Sequence, residues 1–538
     1  FYGFREIRRT LESRGHRFDT ESDSEILVHL YEHFGIRCIE HLRGEFAFIL
    51  WDHDRQTLLA ARDRFGIKPL VYTVSNNRIL LASEARAILP EIEARWNDES
   101  MFFASAFQYL PPEHTLFEGI RQLPPGHILT FDATGHRTSC YWDFDYPESL
   151  EPNGADAVDE KSIVRQSEQL REQVRESVQL RMHGEAPVCF HLSGGLDSSS
   201  ILGLASQLAG EPQHAFTLEF DDPGYDESQQ ARDTASFCNA VWHPVRVSRR
   251  DILEVMTDAV IGSEGLAING HLSAKYLLNR AIHDCGFRAV LSGEGADEVF
   301  GGYAHLRLDH WRSQKSNPAT DLTGSNASQV GMMLPSGEGL STAAAEDYFG
   351  YRPVFLEAKA TLGKRLRSLM TPDCLQHWES RDPCSELLKV SCITSQLSRR
   401  SALRKSTWLW SKLALAGYIF RTLGDGTEMP WSVEGRVPFA DHVMFESVRE
   451  YSSNCLIRGN TEKYILREAM RPFVTESVYA RQKHPLDAPP VLTGDLTLLP
   501  LVYDRINSAE FRRQPFFCEH RVKALLEQIP QMTREDRK

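Results

Sequence analysis

A multidomain α/β chain is predicted: helix with antiparallel sheet first, a parallel sheet next, and a mostly helical C-terminal third. Three observations predict it. Residues 1–90 combine a helical apolar pattern with two strand–turn–strand patterns. Further on, the short apolar runs VCFHL (188–192), HAFTLEF (214–220) and RAVLS (288–292) are separated by helical segments, the alternation of a parallel sheet. Between these regions, residues 145–162 are acidic and contain Pro and Gly, as linkers do. The expected division is therefore 1–144, a linker over 145–162, and 163–538.

In SEILVHLYEHF (24–34), apolar side chains at 26, 27, 30, 31 and 34 share a helix face. Ser22, Asp23 and Ser24 offer caps, and Gly35 supplies the stop. GEFAFILWDHDRQTLLAARD (44–63) reads as strand, turn, strand, and VYTVSNNRILLAS (71–83) as a second hairpin. PPEH (111–114) and QLPPGH (122–127) mark turns. Residues 312–345 are polar and rich in small residues, and read as a long loop.

The 538 residues, 41% hydrophobic and 25% charged, suffice for two or three domains with cores. A net charge of −14 argues against attraction to nucleic acid or to an anionic membrane. No apolar run approaches the roughly 18 residues of a membrane helix. Ten cysteines form no C-x-x-C pair and no zinc-spaced Cys/His cluster, which points to reduced thiols in a cytosolic compartment. The chain begins FYGFREIRRT and its first methionine is Met101, so its natural start is expected upstream.

HLSGGLDSSS (191–200) carries the chemistry. A strand runs into a glycine turn and then a helix, whose free N–H groups favour phosphate. Gly194 and Gly195 let backbone approach closely, and the serines add donors, but the Walker A pattern is absent. A carboxylate beside phosphate is repulsive unless a cation lies between them. Asp197 is therefore read as holding Mg²⁺ on a polyphosphate. The alternative is a capped helix after a tight turn, with Asp197 serving its dipole. RAVLSGEGADEVFGGY (288–303) repeats the logic. There Asp297 reads as a second magnesium ligand, and Glu294 as a general base or orienting carboxylate, against the alternative of an acidic helix start. Such loops gather at the carboxyl ends of parallel strands, where two could clamp one Mg-ATP. SGEG recurs at 336–339 without the following A-D-E or a preceding strand, and reads as loop.

SGGLDS resembles the pyrophosphate loop of the ATP pyrophosphatase (PP-loop) superfamily, which cleaves ATP between its α and β phosphates. With SGEGADEVFGGY, GTEMPWSVEGRVPFADH (426–442), EKYILREAM (462–470) and ARQKHP (480–485), the chain resembles the class B, glutamine-hydrolysing asparagine synthetases. SDSE (22–25), ARDRFGIKPL (61–70) and ASEARAIL (82–89) extend the match, which is weak around 311–400. The resemblance implies an Ntn-type αββα amidohydrolase sandwich, incomplete here, followed by a PP-loop ATP pyrophosphatase domain with a helical C-terminal part. It implies that ammonia from glutamine passes through an internal channel, that ATP adenylates the aspartate side chain, and that ammonia displaces AMP to give asparagine. Leu192, Ser193, Gly194, Gly195, Asp197, Ser198, Ser292 and Gly293 would bind ATP. Asp197 and Asp297 would hold Mg²⁺, Lys463 would neutralise phosphate charge, and Glu294 would take ammonia's proton. Asp23 would hold the α-amino group of glutamine. ATP and Mg²⁺ are the implied cofactors, small molecules the partners, a homodimer the assembly and the cytoplasm the location.

The chain departs from the family in two places. The segment carrying the nucleophilic cysteine is absent from these 538 residues, so their glutaminase half is expected to be inactive, with unpaired sheet edges. Asp425-Gly426 stands where the family has Asp-Arg, and Pro430-Trp431 replaces a small polar pair near the family's acceptor side. Amidation of another carboxylate and a non-catalytic homologue are the competing readings. A tRNA-modifying pyrophosphatase would bring a basic surface and paired cysteines, which the chain lacks.

Overall fold

Three sheets order the chain in a computed structural model that describes residues 1–148, 159–184, 186–313, 334–390, 397, 399–484, 487–494 and 496–533. The first is antiparallel, in the order β1 (Ala47–Asp52), β2 (Thr57–Arg62), β6 (His127–Asp132), β7 (Gly135–Cys140). The second, also antiparallel, has the order β4 (Arg78–Ala82), β3 (Val71–Ser75), β5 (Arg121–Gln122). Both expected hairpins form. Asn76 and Asn77, with φ of 49° and 60°, make the two-residue left-handed turn that sets Ser75 opposite Arg78.

The two sheets meet through Ala60 and Leu129 on one side and Tyr72 on the other, with Leu70 and Leu123 between. The outer face of the first sheet is covered by the helix Glu25–Phe34 through Ile26, Leu27 and Leu30. Gly35 ends that helix at φ 60°, as expected. The start differs from expectation. Ser24 makes no side-chain cap bond; instead the Glu25 carboxylate accepts from the N–H groups of Asp19 and Thr20. A residue that can reach back to the preceding loop displaces the cap. β1 is an edge strand of the described sheet, and Ile49 and Trp51 on it are about half exposed (49% and 52%), so apolar surface does lie at that edge.

ARDRFGIKPL is a buried turn held by its own charges. Asp63 accepts from the N–H groups of Phe65, Ile67 and Lys68, and Arg62 donates to the carbonyls of Gly66, Lys68 and Leu123. Lys68 then reaches across the molecule to Asp425, 3.3 Å away. The same junction is closed by Arg181, which pairs with Glu45 at 2.9 Å and Asp441 at 3.0 Å, and by Phe65 and Trp142 packed on Phe445.

The third sheet is parallel: β10 (Val241–Val247), β9 (His214–Phe220), β8 (Val188–His191), β11 (Ala289–Leu291), β12 (Glu434–Arg436). The chain adds β9 and β10 on one side of β8, then β11 and β12 on the other. The direction of winding reverses between β8 and β11, so the loops leaving these neighbours diverge and open a crevice. The helix Glu160–Met182 begins inside the expected linker, of which 149–158 lie outside the described residues. Residues 336–339 are loop, as read, while 314–333 of that region lie outside the described residues. The C-terminal third is helical and includes a π-helical stretch, Ser411–Asp425. Among the described residues no helix is long and apolar enough to cross a membrane.

Candidate active site

β8 delivers the first loop. Leu192 still bonds to β9, its N–H donating to the Phe216 carbonyl at 2.9 Å. Gly194 then turns with φ 74°, and an added Cβ would lie 2.6 Å from the Ala231 nitrogen. No residue but glycine fits there. Ser193 and Ser198 close the loop, with their hydroxyls 3.1 Å apart and the Ser193 N–H donating to Ser198 Oγ at 3.2 Å. The helix Leu196–Leu208 starts directly behind, with Asp197 in its first turn.

β11 delivers the second loop, Ser292 to Gly295, into the short helix Ala296–Phe300. The two loops touch backbone to backbone at Gly293, where a Cβ would stand 2.8 Å from Asp197 Cβ and 2.9 Å from the Ser198 nitrogen. That contact brings Asp197 and Asp297 to one point. Lys463 Nζ donates to both Asp197 oxygens at 2.7 and 2.6 Å and lies 2.6 Å from Asp297 Oδ1. Lys483 Nζ lies 2.7 Å from Asp297 Oδ2 and 3.6 Å from Asp197 Oδ2. Two buried acids are thus clasped by two lysines. Lys463 sits in the left-handed region at φ 53°, a strain that puts its ammonium between the acids.

Burial opposes the charge on Asp297, but the ammoniums of Lys463 and Lys483 overcome it and hold the carboxyl down at about 2. Burial likewise opposes the Lys483 charge, yet Asp297 and Asp197 push its pKa well above the ordinary lysine value. Asp297 and Lys483 are thus both charged at neutral pH. Glu294 stands beside it, 3.1 Å from Lys275 Nζ. Burial raises its pKa, Lys275 lowers it more, and the net direction is down, so Glu294 is a carboxylate able to accept a proton. His191 and His271 are kept neutral by burial and by Lys275, at about 3 and about 4.

Two carboxylates converging on a cation position at 2.6–2.7 Å are hard oxygen donors of the kind Mg²⁺ takes, and the residues present fit that ion. Gly302 makes the packing possible: its Cβ would fall 2.0 Å from both Asp297 Oδ1 and Lys463 Cε. Gly302→Ala is therefore expected to displace the pair by about 1 Å. Turnover at this site should fall ~100-fold, with thermal unfolding measured alongside as the control for folding.

Asp197, Asp297, Glu294, Lys275 and Lys483 line one cavity of about 170 Å³. One end is made by His191, Leu192 and the β9 residues Phe216, Thr217 and Leu218. The other is walled by Tyr109, Tyr303, Trp410 and Tyr418, with Lys359 and Asp487 as its charged groups. A second cavity, between the amidohydrolase-like sheets and the helical third, shares Tyr109 and Tyr418 with the first.

The fold brings together every site residue expected from the sequence except Asp23. That side chain lies in the first domain, where its carboxylate accepts from the Phe1 ammonium at 2.5 Å. Sequence reasoning did not assign Lys483, Lys275 or Lys359. ARQKHP was the one signal for Lys483, and a lysine inside an ordinary helix carries none. Gly426 and Trp431 are not part of the cavity wall. A Cβ on Gly426 would meet Ser263 Cα at 2.6 Å, so the position packs against the helix Arg249–Ser263 and has no room for arginine. Trp431 stacks edge-on against Tyr276 at 5.1 Å.

The family model described as asparagine synthase matches residues 169–538, and that described as a glutamine amidotransferase domain matches residues 1–142. Amidase chry2 of Gibberella zeae is 32% identical over 502 residues, spanning 87% of this chain and 73% of that protein. Amidase chyE of Penicillium rubens is 31% identical over 507 residues, spanning 86% and 72%. Glutamine-hydrolyzing asparagine synthetase 1 of Bacillus subtilis is 27% identical over 495 residues, spanning 90% and 73%.

Proposed function

The chain belongs to the asparagine synthase family, and from that premise we propose that it forms an amide on a carboxylic acid at the expense of ATP. The acid is activated as an acyl-adenylate with release of pyrophosphate, and ammonia then displaces AMP. The observation that carries this reading is the clasp of Asp197 and Asp297 by Lys463 and Lys483 at adjoining strand ends, with an ionised Glu294 beside it.

Each residue has a part in this proposal. The Ser193–Gly195 turn and the helix behind it present N–H groups to the leaving pyrophosphate. Lys463 and Lys483 offset the charge that grows on the phosphates as the acid's oxygen attacks the α-phosphorus. Mg²⁺, held by Asp197 and Asp297, would polarise those same phosphate oxygens. In the second half, ammonia's nitrogen bonds to the acyl carbon, AMP leaves with the acyl oxygen, and Glu294 takes the excess proton. Its lowered pKa leaves it deprotonated at neutral pH and ready for that role. Glutamine would be the source of ammonia through the amidotransferase domain, where Asp23 would hold its α-amino group, with the cavity shared at Tyr109 and Tyr418 as the route.

The acceptor is aspartate or another carboxylic acid. Incubation with ATP, Mg²⁺, ammonia and a panel of acids is expected to yield AMP, pyrophosphate and one amide in equal amounts. Acid-dependent ATP–pyrophosphate exchange should persist without ammonia. Failure of exchange with every acid would instead favour a homologue that kept the fold and lost the chemistry.

A further inference from the structure

The cavity wall also holds a buried ammonium that, among the described residues, makes no hydrogen bond or ion pair. Lys359 lies on the buried face of the helix Val354–Arg367 and is 2% exposed. Among the described residues its Nζ has neither a hydrogen bond nor an ion pair; its one contact is the Tyr109 ring face, 4.7 Å from the nitrogen to the centroid. Asp487, on the same wall, is outside ion-pair distance, and its Oδ1 is occupied by Asn269 Nδ2 at 3.0 Å and the Ala488 N–H at 2.9 Å. Burial draws the Lys359 pKa down to about 8, which still leaves the group charged at neutral pH. Asp487, beyond ion-pair distance, offsets that burial only in part, and a buried charge without a direct partner costs stability that persists where function needs it.

The surrounding wall says what else the ligand must satisfy. Tyr303 and Trp410 spend their polar atoms on Glu298, the hydroxyl and the indole N–H each donating at 2.9 Å. They therefore offer ring surface to the cavity, alongside Tyr109 and Tyr418. Aspartate, small and fully polar, would leave these faces uncovered.

We propose that Lys359 is the specificity-determining cation of the acceptor end, and that the acceptor is a carboxylic acid with an aromatic-sized apolar body and a second anionic group. One carboxylate reacts beside Glu294, the body covers Tyr109, Trp410 and Tyr418, and the second anion pairs with Lys359. This rests on the amidation reading above and narrows its substrate.

The test compares three acids in ATP-, Mg²⁺- and ammonia-dependent AMP formation: homophthalate, with a ring and two carboxylates; phenylacetate, with the ring and one; and aspartate. The wild-type protein should prefer homophthalate to phenylacetate and to aspartate by at least about 10-fold in kcat/KM. Lys359→Met should erase that preference by raising KM for homophthalate, leaving phenylacetate unchanged, and Lys359→Arg should restore part of it. Lys359→Met should also raise the thermal unfolding midpoint, because it removes a buried charge that has no direct ion pair. A lysine with a merely structural role would lower it. Preference for aspartate, or an unchanged homophthalate-to-phenylacetate ratio in Lys359→Met, overturns this inference and leaves amidation standing. No AMP with any of the three acids takes down the amidation reading and this one with it.

Discussion

Asp197→Asn should abolish acid-dependent pyrophosphate release, with a loss of about 100- to 1,000-fold. The substitution keeps the shape of the side chain and removes its charge. In the native site both Asp197 oxygens accept from Lys463, at 2.7 and 2.6 Å. An asparagine can offer one oxygen to that ammonium, and its amide nitrogen would face a cation. The phosphate-side cation position then keeps one carboxylate, Asp297, where hard-cation chemistry needs two. The fold is expected to survive, since Asp197 sits at a helix start and the loop around it is held by the Ser193 and Ser198 hydroxyls. Circular dichroism and thermal unfolding verify that, and pyrophosphate release measures the effect. A rate equal to wild type would remove both the metal role and the phosphate role from this cluster.

Lys483→Met should cost about 100-fold in kcat/KM, most of it in kcat. Lys483 is the second cation on Asp297, 2.7 Å from Oδ2, and its pKa is pushed upward by the two aspartates. It is therefore charged at every working pH, so the loss should be constant across the neutral range. The double variant Asp297→Asn/Lys483→Met should lose much less than the product of the single losses, because each substitution already breaks the same pair. Full additivity would mean that the two side chains act apart, contrary to their distance. Initial rates at saturating ATP, with ATP binding measured separately, distinguish the loss in turnover from a loss of affinity.

Much of the fold was legible because it is encoded in short stretches. Asn76-Asn77 allowed only a left-handed turn, Gly35 only a helix stop, and three apolar runs only buried parallel strands. At the start of the helix Glu25–Phe34, Ser24 makes no side-chain cap bond, while the Glu25 carboxylate ties the helix to the preceding loop through the Asp19 and Thr20 N–H groups, a contact set in space and not by local spacing. At Gly426 a Cβ would stand 2.6 Å from Ser263 Cα on the helix Arg249–Ser263, a packing constraint that no local stretch of sequence shows.

By itself the sequence determined the two strand–glycine–acid–helix loops and hence the phosphate chemistry, because every group involved lies within a few residues along the chain. Only the tertiary structure decided which cations meet those acids. Lys463 is 266 positions from Asp197, Lys483 carries only the short ARQKHP stretch as a signal, and Lys359 comes from a helix with no local signature. Local backbone preferences act over one turn of helix or strand, whereas electrostatic pairing is set by distance in space, and that distance exists only once the sheet has wound outward on both sides of β8.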